Sequence, residues 1–396
     1  MRQLEIGRPG RQTYTARLRV ALVTETFPPE VNGVAMTLKR VVDACRILGH
    51  RVTVIRPRQA GEGPIADEWP HPGFPLPGYR GLQMGYPRHA VLRARWRLAP
   101  PDVVHVATEG FLGVCAMAAA RELGIPVTSS FHTNYHAYAG HYGCRLLGPV
   151  VFSYLRRFHN RTACTMVPTQ AQVGDLTSQG LHGATVLARG IDGDLFHPRR
   201  RSDALRAAWG VGDDDLVIGV VSRIAAEKNI DLTYRAFCAA RERVPSARLL
   251  LVGDGPEAGR YRDRPGVIWA GMRHGEDLAA HYASCDLFAF ASLTETYGNV
   301  VTEAMASGVA TVAFNYAAAA TSIVDGRSGR LVPYADEDAF IAAVLEVATA
   351  PAQRRALAAA ARTAVADRSW SAIAACFIDH LRRACAQPVQ GRAPCA

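Results

Sequence analysis

The sequence predicts an α/β protein of two Rossmann-like, doubly wound parallel-sheet domains with a cleft between them. Three observations point there. Short β-branched runs alternate with helical stretches along nearly the whole chain. The alternation occurs twice, and Phe196-His197-Pro198 with the charged run Arg199–Arg201 separates the two series. A chain of 396 residues also divides more readily into two cores of about 180 residues than into one.

In the first series, Arg19 to Thr24 reads as a strand and Val34 to Leu48 as a helix. Val34, Leu38, Val41, Val42, Cys45 and Leu48 keep helical spacing there, and Gly49 closes the helix. Strands Val52 to Ile55, Val103 to Val106, Val127 to Phe131 and Thr165 to Pro168 follow, with a core helix from Phe111 to Ala120. Residues 60–87, rich in Gly and Pro, read as a long irregular loop. The second series has strands at Val217 to Val221, Arg248 to Val252, Val267 to Trp269, Leu287 to Ala289 and Ala310 to Ala313. Ser371 to Arg383 forms a helix with Ile373, Phe377, Ile378 and Leu381 on one face. The expected limits are a basic tail 1–16, domains 17–197 and 198–370, a last helix within 371–386 and a tail 387–396.

Composition narrows the classes. With 49% hydrophobic and 20% charged residues and mean hydropathy of zero, the chain is globular in type. No apolar run approaches the roughly 20 residues that span a bilayer. Met1 to Ala16 lacks the apolar centre of a secretory signal. The nine cysteines are odd in number and form no C-x-x-C pair, which argues against a disulfide framework or zinc site and suits a reducing cytoplasm. A net charge of +10 admits nucleic acid, an anionic membrane or phosphate-bearing substrates as partners. Zinc-finger spacing and base-stacking aromatic pairs are both missing, so nucleic acid is set aside.

The richest constellation is Glu295-Thr-Tyr-Gly-Asn-Val-Val-Thr-Glu303, running on to Ala304-Met-Ala-Ser-Gly308. It lies between a strand and a helix expected from Gly298 to Ser307, at the carboxyl edge where open α/β sheets bind ligands. The helix start, Tyr297, Gly298, Asn299 and Val300, offers N–H groups to phosphate oxygens. Glu295 would overlook the cleft, and Glu303, farther along, can accept from sugar hydroxyls. Arg223 and Lys228 stand after the strand Val217 to Val221, where two fixed cations can neutralise a departing diphosphate, a task otherwise given to a metal. Asn32-Gly33 opens the first helix, either as a site for diphosphate approach or as an ordinary turn. His132 follows a strand end and serves either to contact the sugar or to hold the fold. The loops at Gly253 and at Gly271-Met272-Arg273 either line a base and ribose or are simple turns. G-x-G-x-x-G does not occur, which leaves a dinucleotide site unsupported. Asp213-Asp214-Asp215 contains D-x-D, yet it precedes a strand at the amino edge and reads as a turn rather than a metal site.

Together TETFPPEVNGV, SFHTNYH, RGIDGDLFHP, SRIAAEKN, LLLVGDGP and TETYGNVVTEAMASG resemble the family 4 retaining glycosyltransferases of the GT-B fold, over about Arg17 to Arg383. They are most similar to the bacterial subgroup of GDP-mannose-dependent α-mannosyltransferases and glycolipid glycosyltransferases. The resemblance implies a hexosyltransferase that uses GDP-mannose or a UDP-hexose as co-substrate, with no cofactor and no metal. It implies that Gly33, Arg223 and Lys228 meet the donor diphosphate, Glu295 the sugar hydroxyls and Glu303 the ribose, with His132 near the reacting face. It also implies that the last helix crosses back onto the first domain. Ala188 ahead of Arg189-Gly190 is a mild departure at the hinge. The resemblance implies a lipid or glycan acceptor. Two basic stretches with interleaved apolar residues, Arg88 to Leu98 and Tyr154 to His159, suit either a solvated helix or an anionic membrane, on the inner face of the cytoplasmic membrane. An epimerase on the same fold and a non-catalytic nucleotide-sugar-binding protein are the rival readings.

Overall fold

A computed structural model describes residues 17–30, 32–59, 61–63, 65–75, 83–132 and 148–387. The expected segment 1–16 and the tail beyond residue 387 lie outside these residues. Within them are two parallel sheets. The first runs β3-β2-β1-β6-β7-β8-β9, with β1 Arg19–Val23, β2 Arg51–Pro57, β3 Glu68–His71, β6 Val103–Val106, β7 Val127–Ser130, β8 Thr165–Val167 and β9 Ala184–Val186. The second runs β12-β11-β10-β13-β14-β15, with β10 Val217–Val221, β11 Arg248–Val252, β12 Val267–Gly271, β13 Leu287–Phe290, β14 Ala310–Phe314 and β15 Arg330–Val332.

Both faces of each sheet are covered, which is why the central strands are unbroken apolar runs. In the second sheet Ile218 and Val220 face one core with Leu249, Leu251, Phe237 and Phe340. Val217 and Val221 face the other, with Leu250, Phe288 and Met305. The first sheet alternates in the same way, with Val20 and Leu22 on one side and Ala21 and Val23 on the other. Strand order reverses between β1 and β6 and between β10 and β13. The loops that leave β1, β10 and β13 therefore start at the two switch points, where a crevice opens.

Three expectations need correction. Residues 60–87 are not wholly irregular: they contain β3 and an antiparallel hairpin of β4 Gly73–Pro75 and β5 Gln83–Gly85. Buried Glu25 holds that hairpin, accepting from the Gly85 N–H at 2.7 Å and the Leu112 N–H at 2.9 Å. The strands β9 and β15 were not expected at all. The stretch His89–Leu98 is a helix, but Leu92 and Trp96 are buried in the core under β1 and β6.

Candidate active site

The first helix, Gly33–Ile47, begins because Asn32 is extended and its side chain accepts from the N–H groups of Val34 (3.1 Å) and Ala35 (2.9 Å). A Cβ at Gly33 would meet no atom of the described residues within 4 Å, so packing among them does not require glycine there. Its value is the bare approach it leaves to the helix start. Across the cleft, Gly298 has φ 88° and opens the helix Asn299–Ala306. Glycine tolerates that left-handed geometry, and it brings the turn against the Glu295 side chain. The first N–H groups of both helices have no partner inside their helix.

Lys228 ends a short turn after β10. Its ammonium donates to Glu295 Oε1 at 2.5 Å, to the Thr294 carbonyl at 3.2 Å and to Ser292 Oγ at 3.4 Å. A backbone bond from Leu293 N–H to the Glu227 carbonyl (2.9 Å) joins the same two loops. Arg223, the more exposed cation, pairs with Glu227, which holds that carboxyl below its ordinary range. Arg223, Lys228, Glu295, Tyr297, Gly298, Asn299 and Val300 line one cleft of about 1140 Å³ together with Gly33 on the opposite wall.

Four expected residues sit elsewhere. Glu303 lies a turn inside its helix, where Tyr282 donates a hydrogen bond to Oε2 at 2.9 Å; burial raises its carboxyl to about 7. His132 is buried beside the cleft, and burial and the nearby Arg189 charge keep its imidazole neutral by moving its pKa well down. Gly253 supports the site from behind: with φ 133°, a Cβ there would fall 1.9 Å from the Ser222 carbonyl oxygen. Met272 is exposed outside the cleft lining. Asp215 accepts from the Gly212 N–H at 2.7 Å, so the aspartate triplet forms a turn at the amino edge of β10.

Sequence reasoning missed part of the opposite wall. Glu30 accepts from Thr26 Oγ1 at 2.5 Å and from Gln59 Nε2 at 2.6 Å, and Asn32 Nδ2 donates to the same Thr26 oxygen at 2.7 Å. All four residues line the cleft, as does Arg189. Glu30, directly after Pro28-Pro29 and before the helix, could have been found from that position; Arg189 had no local signal.

The family described as Glycosyltransferase Family 4 matches residues 31–195, and Glycosyl transferases group 1 matches residues 215–350. A GDP-mannose-dependent alpha-mannosyltransferase of Mycobacterium tuberculosis is 33% identical over 92% of this chain and 96% of its own. The chain belongs to glycosyltransferase family 4. An alpha-monoglucosyldiacylglycerol synthase of Streptococcus pneumoniae is 28% identical to this glycosyltransferase, over 83% of this chain and 78% of the relative. In fold, the glycosyltransferase is similar to Anabaena HepE solved with UDP, with a TM-score of 0.73 at 18% identity, covering 92% of this chain and all of the other. It is thus a hexosyltransferase of GT-B architecture, its cleft lying between the two sheets. No helix among the described residues is long and apolar enough to cross a membrane.

Proposed function

We propose that this glycosyltransferase moves mannose from GDP-mannose to a hydroxyl of a lipid or glycan acceptor, with retention and without a metal ion. The observation that carries the reading is the Lys228–Glu295 pair, set in one cleft with Arg223 and two open helix starts. A departing diphosphate needs its growing charge held by groups already in place. Lys228, Arg223 and the N–H groups at Gly33 and at Asn299 offer that. Diphosphate binding competes with Glu295 for the ammonium and frees the carboxylate for the sugar's hydroxyls. The bond from C1 to the phosphate oxygen breaks with its electron pair going to that oxygen. The acceptor oxygen bonds C1 on the same face, and its proton passes to the departing phosphate. Glu303 accepts from the ribose.

The names of the mannosyltransferase relatives favour mannose and GDP, and that of the glycolipid synthase favours a lipid acceptor. A membrane partner has support in the helix Gly148–His159, which exposes Val150, Val151 and Tyr154 beside Arg156 and Arg157. Peripheral attachment to the inner face of the cytoplasmic membrane follows. The test is a turnover screen over GDP-mannose, UDP-glucose, UDP-galactose and acidic UDP-sugars, with EDTA and with added manganese or magnesium. Turnover with GDP-mannose that survives EDTA is expected. Turnover confined to a UDP-hexose moves the donor assignment, and loss in EDTA restored by manganese overturns the metal-free reading.

A further inference from the structure

Three arginines are buried among the described residues: Arg56, Arg189 and Arg206. Arg56 is fully matched, by Glu62 at 2.8 Å and Glu68 at 2.8 Å. Arg206 is matched by Asp286 at 3.1 Å and by the carbonyls of Ser284, Gly212 and Asp215. Arg189, only 7% exposed, has no carboxylate partner among the described residues. Its one hydrogen bond runs from a terminal nitrogen to Nδ1 of His132, at 2.9 Å. Burying a guanidinium without an anion is costly, and a fold that pairs its other two buried arginines this well leaves the third for a reason.

The placement supplies one. Arg189 lines the same cleft as Lys228, Arg223 and Glu295, but it comes from the segment that follows β9 in the first sheet. Because His132 Nδ1 accepts from Arg189, the ring's proton sits on Nε2. That Nε2 is buried and has no partner among the described residues. The two side chains thus form a unit with an unmatched positive charge and an unmatched donor at the cleft.

We propose that Arg189 is a third cation of the donor site, whose counter-ion is the bound diphosphate, and that it holds His132 in the Nε2–H form for the same ligand. This rests on the nucleotide-sugar reading above. Cations then reach the diphosphate from both lobes: Arg223 and Lys228 from the second sheet, Arg189 from the first. A planar fork suits the task, since it can donate to His132 and to phosphate oxygens together.

The test uses the full-length protein and the variants Arg189→Met and Arg189→Lys, with GDP and UDP binding measured by calorimetry without acceptor and melting measured with and without nucleotide. Arg189→Met is expected to weaken binding of the preferred nucleotide at least tenfold. Its unliganded melting temperature should equal or exceed that of wild type, because a buried unmatched charge has gone. Arg189→Lys, which keeps the charge and loses the fork, should fall between. Unchanged nucleotide affinity in Arg189→Met overturns the proposal, and a rise confined to the acceptor KM would assign the anion to the acceptor instead. A lower unliganded melting temperature with unchanged affinity would make the residue structural. Wild-type protein that binds neither GDP nor UDP overturns the nucleotide-sugar reading itself.

Discussion

At Glu303, a half-buried residue, desolvation raises the carboxyl from 4.5 to about 7, against one hydrogen bond from Tyr282 that works in the other direction. The unfolded chain ionises this group near 4.5, so between about 4.5 and 7 the folded state holds the extra proton. Unliganded stability therefore falls as pH rises through that window, and the full penalty, on the order of 3 kcal/mol, applies above it. Under the proposed contact with the ribose, the ionised form is the acceptor. Nucleotide should thus bind more tightly at pH 8 than at pH 6, and Glu303→Gln should flatten that difference and melt higher than wild type at pH 8. Calorimetry and melting at both pH values check this, and the variant's own profile subtracts the titration of the phosphate. A parallel slope in both proteins would remove Glu303 from the ribose. Lys228 carries a second prediction. Its ammonium is fitted to three acceptors, so Lys228→Ala should lower turnover about 10²-fold or more and Lys228→Arg should recover only part of it. Full recovery with arginine would contradict a specific ammonium position. Arg223, Lys228 and Glu295, in the loops after β10 and β13, were legible because polar groups there follow apolar runs, and Gly33 because Asn32-Gly33 opens a helix. Arg189 was not legible: in a chain this rich in arginine only burial distinguishes it, and burial is a tertiary property.

Among the elements, the strands that the sequence left hidden are the hairpin pair β4 and β5 and the strands β3, β9 and β15, and each of the last three lies at the edge of a large sheet. An edge strand buries one flank, so it carries fewer apolar residues, and three residues such as Ala184–Val186 are too few for a period to appear. Central strands such as β10, buried at every position, were read to the residue. The helix His89–Leu98 shows a different difficulty. Its Leu92 and Trp96 are spaced as on a membrane-facing helix, and a core can use the same stripe. Arg93 pairs with Glu122 at 3.2 Å and Arg95 lies 4.1 Å over Trp69, so two of its three arginines have partners on the protein, while Val91 and Leu98 stay exposed. The helix Gly148–His159 buries Leu155 and Phe158 but exposes Val150, Val151 and Tyr154. Arg156→Glu with Arg157→Glu should therefore weaken sedimentation with anionic vesicles more than the triple change at Arg93, Arg95 and Arg97, by about 1 kcal/mol or more per arginine. Equal effects from the two sets, or no dependence on anionic lipid, would count against attachment through this helix.

The whole molecule is held at a double crossing. The chain leaves the first sheet near Gly190 and Ile191 and returns near Arg368, and there Ile191 N–H donates to the Arg368 carbonyl at 2.7 Å. A Cβ on Gly190 would come within 2.7 Å of Trp370, so the two strands of the crossing lie in contact. The last helix, Trp370–Ala386, then inserts Ile373, Phe377, Ile378 and Leu381 into the core of the first sheet beside Leu38 and Val41. Its apolar stripe was legible from spacing alone, whereas its destination on the first domain came from the family resemblance, because a helical period says which face is buried and never against what. Phe377 is 2% exposed and its ring meets the buried His105 ring edge-on at 4.9 Å. Phe377→Ala removes a large buried aromatic and should cost about 3–5 kcal/mol in urea unfolding. The cleft wall from Arg223 to Val300 belongs to the second sheet, and if it binds the donor as proposed, nucleotide affinity of the folded variant at 20 °C should change less than threefold, on the order of 0.6 kcal/mol. Turnover should fail at a lower temperature than in wild type, because melting of the first lobe takes Gly33 and Arg189 out of the cleft. A tenfold loss of nucleotide affinity in the folded variant would instead mean that the last helix sets the geometry of the donor wall, and the two lobes would then have to be treated as one unit.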